Sequence, residues 1–202
     1  MPQPAFSALS DTTALHALGA GKELVLDGLL GDATALAVRA EALALDEAHL
    51  LRPSGTGASK TRNPAVRGDR ILWLDRDLLD PALGAVVDLM DAAMATLNAN
   101  AYLGAGEVET QVAIYDDGPG YLRHRDALHG HDDRRMTAIY YANDWRPGDG
   151  GELVLYDDEG RCTRLIEPIA DRLVLFLAQT EHAVRPVTRG PRVAVSGFMR
   201  RS

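Results

Sequence analysis

Cysteine is almost missing from this chain, with Cys162 the single one among 202 residues. No disulfide can form within the chain, and a reducing compartment is expected. Aromatic residues are scarce at 5%, so the core must be built mainly from aliphatic side chains. Positive charge is in deficit, since 21 Lys and Arg against 29 Asp and Glu leave a formal charge of -8. That balance argues against nucleic acid as a partner, because neutralising phosphates needs a basic surface. A basic start followed by an apolar stretch is also lacking, and no apolar run approaches the roughly 18 to 20 residues of a membrane span. A soluble, cytoplasmic protein without a membrane partner is therefore expected. What remains is ordinary globular material, 46% hydrophobic and 25% charged, sufficient for one domain with a sizeable core.

The first half reads as scaffold. Residues 12–18 form a helix or stay loose, 23–30 give a short strand, and Asp32 is placed to cap a helix reaching about residue 50. Over 52–69, Pro53, Ser54, Gly55, Gly57, Ser59 and Pro64 break the backbone. Arg52, Lys60, Arg62 and Arg67, with Arg70 just beyond, make the stretch locally basic. A mobile loop is expected there, either a solvated connector or a segment that closes over a site. Gly55, Gly57, Lys60 and Thr61 lack the spacing of a phosphate loop. Residues 70–75 read as a strand covered on both faces. Asp80 followed by Pro81 then opens a helix to about residue 98, with Leu83, Val86, Val87, Met90, Ala93, Met94 and Leu97 on one stripe. Core packing explains that stripe better than any cofactor.

From residue 108 onward the period changes to two. Short strands are expected over 111–115, 121–123, 136–142, 152–156, 163–167, 172–177 and 192–198, separated by turns. At least seven strands in under a hundred residues suggest a jelly roll or barrel rather than alternating βα units. In extended backbone the side chains of His124 and Asp126, two apart, point to one face. A third candidate, His182, follows the apolar run 173–178, and a later strand could bring it beside the first two. Two imidazoles and one carboxylate suit a non-haem Fe(II) site with open positions. Arg192 opens the last alternating strand, where its guanidinium could hold a dicarboxylate in a two-pronged grip. A metal-binding module without turnover remains the alternative, but such a module has no need of a carboxylate clamp.

Several runs resemble the 2-oxoglutarate and Fe(II) dependent dioxygenases, most of all the bacterial relatives of the hypoxia-inducible-factor-type prolyl 4-hydroxylases. They are Arg67-Gly68-Asp69-Arg70 leading to Trp73, Val112-Ala113-Ile114-Tyr115, Gly120-Tyr121-Leu122-Arg123-His124-Arg125-Asp126, Ile139-Tyr140-Tyr141-Ala142-Asn143-Asp144-Trp145, Gly150-Gly151-Glu152-Leu153, and Glu167-Pro168 through Asp171-Arg172-Leu173 to His182. The resemblance implies a double-stranded β-helix over 108–202, with 1–107 as largely helical support packed on the major sheet. It makes His124, Asp126 and His182 iron ligands and Arg192 the partner of the distal 2-oxoglutarate carboxylate. Tyr141 becomes a hydroxyl donor to the same group, and Tyr115 a pocket-lining residue. The implied cofactors are Fe(II), 2-oxoglutarate and O2, with ascorbate as reductant. The implied partner is a protein carrying a target proline, hydroxylated at C4, with a translation factor as one candidate and a small molecule or free amino acid as the alternative acceptor. Arg134 or Arg135 corresponds to a family Arg beside the peptide groove. The loop before it departs from the pattern, and its His129 and His131 stand either in solvent or at a second metal site.

Overall fold

The computed structural model describes residues 4–55, 63, 66–127 and 133–201. After a 3-10 turn at Pro4–Ser10 come α1 (Thr12–Gly19), β1 (Leu24–Asp27), α2 (Asp32–Glu47), β2 (Arg52–Pro53), β3 (Asp69–Trp73) and α3 (Pro81–Ala101). The strands β4 (Glu107–Tyr115), β5 (Tyr121–His124), β6 (Arg134–Tyr141), β7 (Leu153–Tyr156), β8 (Cys162–Ile166), β9 (Arg172–Leu177), β10 (His182–Val184) and β11 (Arg192–Arg200) follow. Seven strands pair in the order β1-β9-β6-β11-β4-β3-β2, and four in the order β5-β10-β7-β8. All these pairings are antiparallel. The two facing sheets make the expected jelly roll, and the helices lie on the larger one.

Alternation along the strands sorts side chains between the two faces of the large sheet. Val112, Ile114, Tyr140, Val193 and Val195 face the helices, where they pack with Val86, Met90, Ala93 and Leu97 of α3. Ile139, Tyr141, Val174, Phe176 and Ala194 face the small sheet and meet Leu153, Leu155 and Ile166. Full burial of one such aliphatic side chain contributes roughly 1.5–3 kcal/mol, so the two faces together carry most of the cohesion. Contrary to the sequence reading, α3 is long and apolar enough to match a membrane span by length and composition. It serves here as the core helix, with Leu83, Val86, Met90, Ala93 and Leu97 buried against sheet and neighbouring helix.

Three local expectations need correction. Asp32 is the first residue inside α2, and the cap position belongs to Gly31, at φ 86°. The acceptor for this helix start comes from far along the chain, because the Asp171 carboxylate takes hydrogen bonds from the Leu30 and Gly31 amides at 2.9 and 2.6 Å and from the Tyr140 hydroxyl at 3.0 Å. Asp80 does occupy the cap position of α3, but its side chain makes no capping bond. Glu41 of α2 does that instead, accepting from the Ala82 and Leu83 amides at 3.1 and 2.8 Å. Finally, β3 stops at Trp73, which is 48% exposed rather than covered.

Most of the basic stretch before β3 lies outside the described residues. The two arginines at its end are held in place. Arg67 donates to both oxygens of Asp69 at 2.7 and 2.9 Å, and Arg70 bridges Asp46 and Asp116.

Candidate active site

The floor of the site is the inner face of the large sheet, where register places residues in rows. Asp69, Tyr115 and Arg192 form one row, followed by Ile71, Ala113, Ala194 and Tyr141, then Trp73, Gln111, Ser196 and Ile139. Above the floor stands the small sheet, whose β10 pairs with β5 so that His182 lies directly opposite His124. Asp126, just past the end of β5, is anchored by its own amide donating to the Ala178 carbonyl at 3.1 Å. The cavity between the sheets holds about 620 Å³ and is lined by the three predicted ligands together with Tyr115 and Arg192.

The candidate ligand atoms of His124, Asp126 and His182 all lie within 4.8 Å of one another. The Nε2 atoms of His124 and His182 stand 3.8 and 3.4 Å from the Asp126 oxygens. Each Nδ1 lies against a main-chain carbonyl, Leu122 at 2.8 Å and Thr180 at 3.0 Å. That contact keeps the proton on Nδ1 and leaves the Nε2 lone pair facing the other ligands. The Thr137 hydroxyl donates to Asp126 Oδ2 at 2.7 Å and fixes the carboxylate. Burial pushes the His124 imidazole down to about 4, with His182 adding to the effect, so it is neutral near pH 7. Burial pushes the Asp126 carboxyl up, but the two imidazoles and Thr137 outweigh it and hold it below the usual carboxylate range. Two imidazoles and one carboxylate, converging and with their outer hydrogen bonds satisfied, fit a divalent iron that keeps positions open for other ligands.

Arg192 is 5% exposed. Its Nε donates to the Gly151 carbonyl at 2.7 Å, and its Nη2 lies 3.4 Å from the Tyr141 hydroxyl. The guanidinium sits 5.1 and 5.0 Å from the Tyr115 and Tyr141 ring centres. Among the described residues no carboxylate pairs with it. Tyr141 is wholly buried behind the guanidinium, whereas Tyr115 borders the cavity directly. Burial raises the hydroxyl pKa of both tyrosines, so both keep their protons.

The remaining candidates fall at the rim or outside. Arg134 lines the cavity with its guanidinium 3.8 Å above the Phe198 ring, while Arg135 is not among the lining residues. His129 and His131 lie outside the described residues. Two features escaped the sequence reading. Thr137 supports Asp126, and Arg67 lies 4.7 Å above the Tyr121 ring, which is itself stacked on His124 at 3.5 Å. The signal for Thr137 was available, since a hydroxyl on the inner face of an otherwise apolar strand invites a polar partner.

Residues 110–200 match the family model of the 2OG-Fe(II) oxygenase superfamily. Over its whole length the chain also resembles the crystal structure of a Pseudomonas putida prolyl-4-hydroxylase, at 30% identity and a TM-score of 0.84, covering 98% of this chain and 100% of that one. The chain belongs to the 2OG-Fe(II) oxygenase superfamily. Membership of that superfamily implies Fe(II), 2-oxoglutarate and O2 as the reactants of the site. Among curated relatives, a PKHD-type hydroxylase of Maricaulis maris is 38% identical over 90 residues, 44% of this chain and 40% of that protein. The hypoxia-inducible factor prolyl hydroxylase of Caenorhabditis elegans is 31% identical over 134 residues, 61% of this chain. The oxygenase thus matches only 40% and 18% of the lengths of these two relatives.

Proposed function

We propose that this oxygenase hydroxylates C4 of a prolyl residue in another protein, with Fe(II) held by His124, Asp126 and His182 and 2-oxoglutarate held by Arg192. The observation that carries the reading is Arg192, a buried cation beside the three-ligand cluster with no carboxylate among the described residues to balance it. Burying an unpaired charge costs several kcal/mol, and an incoming carboxylate removes that penalty. Iron with 2-oxoglutarate and O2 supplies an oxidant able to put oxygen into an unactivated C–H bond, releasing succinate and CO2.

The chain's contribution is placement. The Leu122 and Thr180 carbonyls hold both imidazoles in the tautomer that offers Nε2. Tyr141 supports the Arg192 guanidinium by accepting from its Nη2 at 3.4 Å, while the Tyr115 ring lines the cavity beside the clamp. Ala113 and Ala194, adjacent in register, leave the floor low between the clamp and the metal ligands. A prolyl acceptor is supported by the relatives that are named prolyl hydroxylases, above all the one matched along its full length. A cytoplasmic location rests on the composition of the sequence and a translation factor as the acceptor on the sequence resemblance, and ascorbate enters as the reductant that keeps iron ferrous.

The test incubates the protein with Fe(II), 2-oxoglutarate and cell extract and locates peptides heavier by one oxygen. Gain at proline is expected, and Asp126→Ala is expected to abolish iron-supported succinate release. Unchanged turnover by that variant would overturn the metal assignment. Oxygen found only on other residues or on small molecules would remove the prolyl acceptor while leaving the oxygenase.

A further inference from the structure

Arg192 is tied to a helix that takes no part in lining its cavity. The ladder between β6 and β11 pairs Tyr141 with Ala194 and goes no further toward the start of β11. There the Asn143 side chain takes the place of a strand. Its Oδ1 accepts from the Val193 amide at 2.6 Å, and its Nδ2 donates to the Val193 carbonyl at 2.9 Å and to the Pro168 carbonyl at 2.8 Å. Arg39 of α2 reaches the same place. Its Nη1 donates to Asn143 Oδ1 at 3.0 Å and to the Ala142 carbonyl at 3.4 Å, and its Nη2 donates to the Pro191 carbonyl at 3.0 Å. Both chain neighbours of Arg192 are thus held, Pro191 by Arg39 and Val193 by the carboxamide that Arg39 also binds. A cavity of about 160 Å³ borders Arg39, Asn143 and Arg192, so close packing alone does not fix the start of β11.

We propose that Arg39 is a positioning residue for the cosubstrate: by tying the start of β11 to the segment after β6, it sets where the Arg192 guanidinium stands in the cavity. The inference rests on the reading of Arg192 as the clamp for 2-oxoglutarate. A guanidinium presents its donors in a rigid planar fork, so one side chain holds the Pro191 carbonyl and the Asn143 carboxamide at a fixed separation. The first precedes Arg192 by one residue, and the second follows Tyr141, the acceptor for Arg192 Nη2, by two. Without Arg39 the pairing of Val193 with Asn143 remains, but the Pro191 carbonyl loses this tie and the chain entering β11 is free to shift. A two-pronged grip on a carboxylate is sensitive to such a shift, because misplacing a positioned group by about 1 Å costs up to about a hundredfold. The effect is confined to the distal carboxylate. A 2-oxo acid offers a metal its keto and adjacent carboxylate oxygens whatever stands at its other end, and the metal ligands belong to β5, β10 and the residues after β5, which Arg39 does not bond.

The test titrates two 2-oxo acids by calorimetry into the full chain carrying Zn(II), so that nothing turns over. 2-Oxoglutarate has the distal carboxylate, and 2-oxobutyrate lacks it. Arg39→Met is expected to bind 2-oxoglutarate about tenfold more weakly than the parent, a partial misplacement of the clamp, and to bind 2-oxobutyrate equally well. In the Arg192→Met background the same substitution is expected to change neither affinity, since Arg39 acts only through Arg192. Arg39→Lys keeps the stem and the charge but not the fork, and is expected to show a smaller loss in the same direction even if the Met variant does not fold. The inference is overturned by 2-oxoglutarate binding as tight as in the parent in every Arg39 variant that folds. Equal weakening of both 2-oxo acids, which reports a general disturbance of the fold, or an undiminished effect in the Arg192→Met background overturns it as well. Arg192→Met that keeps the parent's preference for 2-oxoglutarate removes the clamp reading and the inference together. Loss of that preference in Arg192→Met but in no Arg39 variant removes the inference alone.

Discussion

Replacing Arg192 by Met should separate stability from function in opposite directions. The guanidinium is 5% exposed and has no carboxylate partner among the described residues. Its removal takes away one bond to the Gly151 carbonyl at 2.7 Å and a long contact to Tyr141 at 3.4 Å. Losing the first costs about 1–3 kcal/mol, while relief of an unbalanced buried charge returns several kcal/mol. The ligand-free variant should therefore unfold no earlier than the parent. Cosubstrate binding should suffer, because truncating one side of a buried charge pair costs about 2–5 kcal/mol. Taking about 3 kcal/mol, the KM for 2-oxoglutarate rises roughly a hundredfold, with kcat at saturation much less affected. A second readout is selectivity, since 2-oxobutyrate lacks the distal carboxylate. The parent should prefer 2-oxoglutarate strongly, and the Met variant should lose most of that preference. A KM within threefold of the parent, or a ligand-free protein that melts more than about 5 °C lower, would refute the account of this residue.

Thr137→Val keeps shape but removes the hydroxyl on Asp126; iron affinity should fall about 10–100-fold with little change in melting, measured by metal titration. Because His124 is held near 4 against an ordinary 6.5, the unfolded chain takes up a proton between those values that the folded chain refuses. Stability of the metal-free protein is thus full above about pH 6.5 and falls as pH drops toward 4, by about 3 kcal/mol in urea titrations. The lowered Asp126 carboxyl adds to the loss at still lower pH. Glu41→Ala leaves the Ala82 and Leu83 amides without their acceptor and should cost about 1–2 kcal/mol, read as a lower denaturant midpoint.

Much of the site was legible because strand periodicity is local. His124 and Asp126 are two residues apart and Arg192 opens an alternating strand, whereas Tyr115 and Tyr141 were marked by the family resemblance and not by periodicity. What escaped the sequence is what depends on remote partners. Asp171 meets the start of α2 from 140 residues away, and Glu41 reaches the amides of α3 across 41 and 42 positions. A capping rule that looks three residues along the chain cannot find either, so Asp32 and Asp80 took roles held by others. The strand carrying His182 escaped for another reason, since three residues are too few to display a period.

Main chain touches main chain where the segment after β10 passes the loops before β5 and β7. A Cβ on Gly120 would collide with the Val184 carbonyl, and one on Gly150 with the Pro186 carbonyl. Randomised libraries aimed at new acceptors should therefore lose their members at these two glycines and keep them around Trp73 and Phe198, where side chains border open space. Retargeting of this catalyst is a matter for its aromatic end.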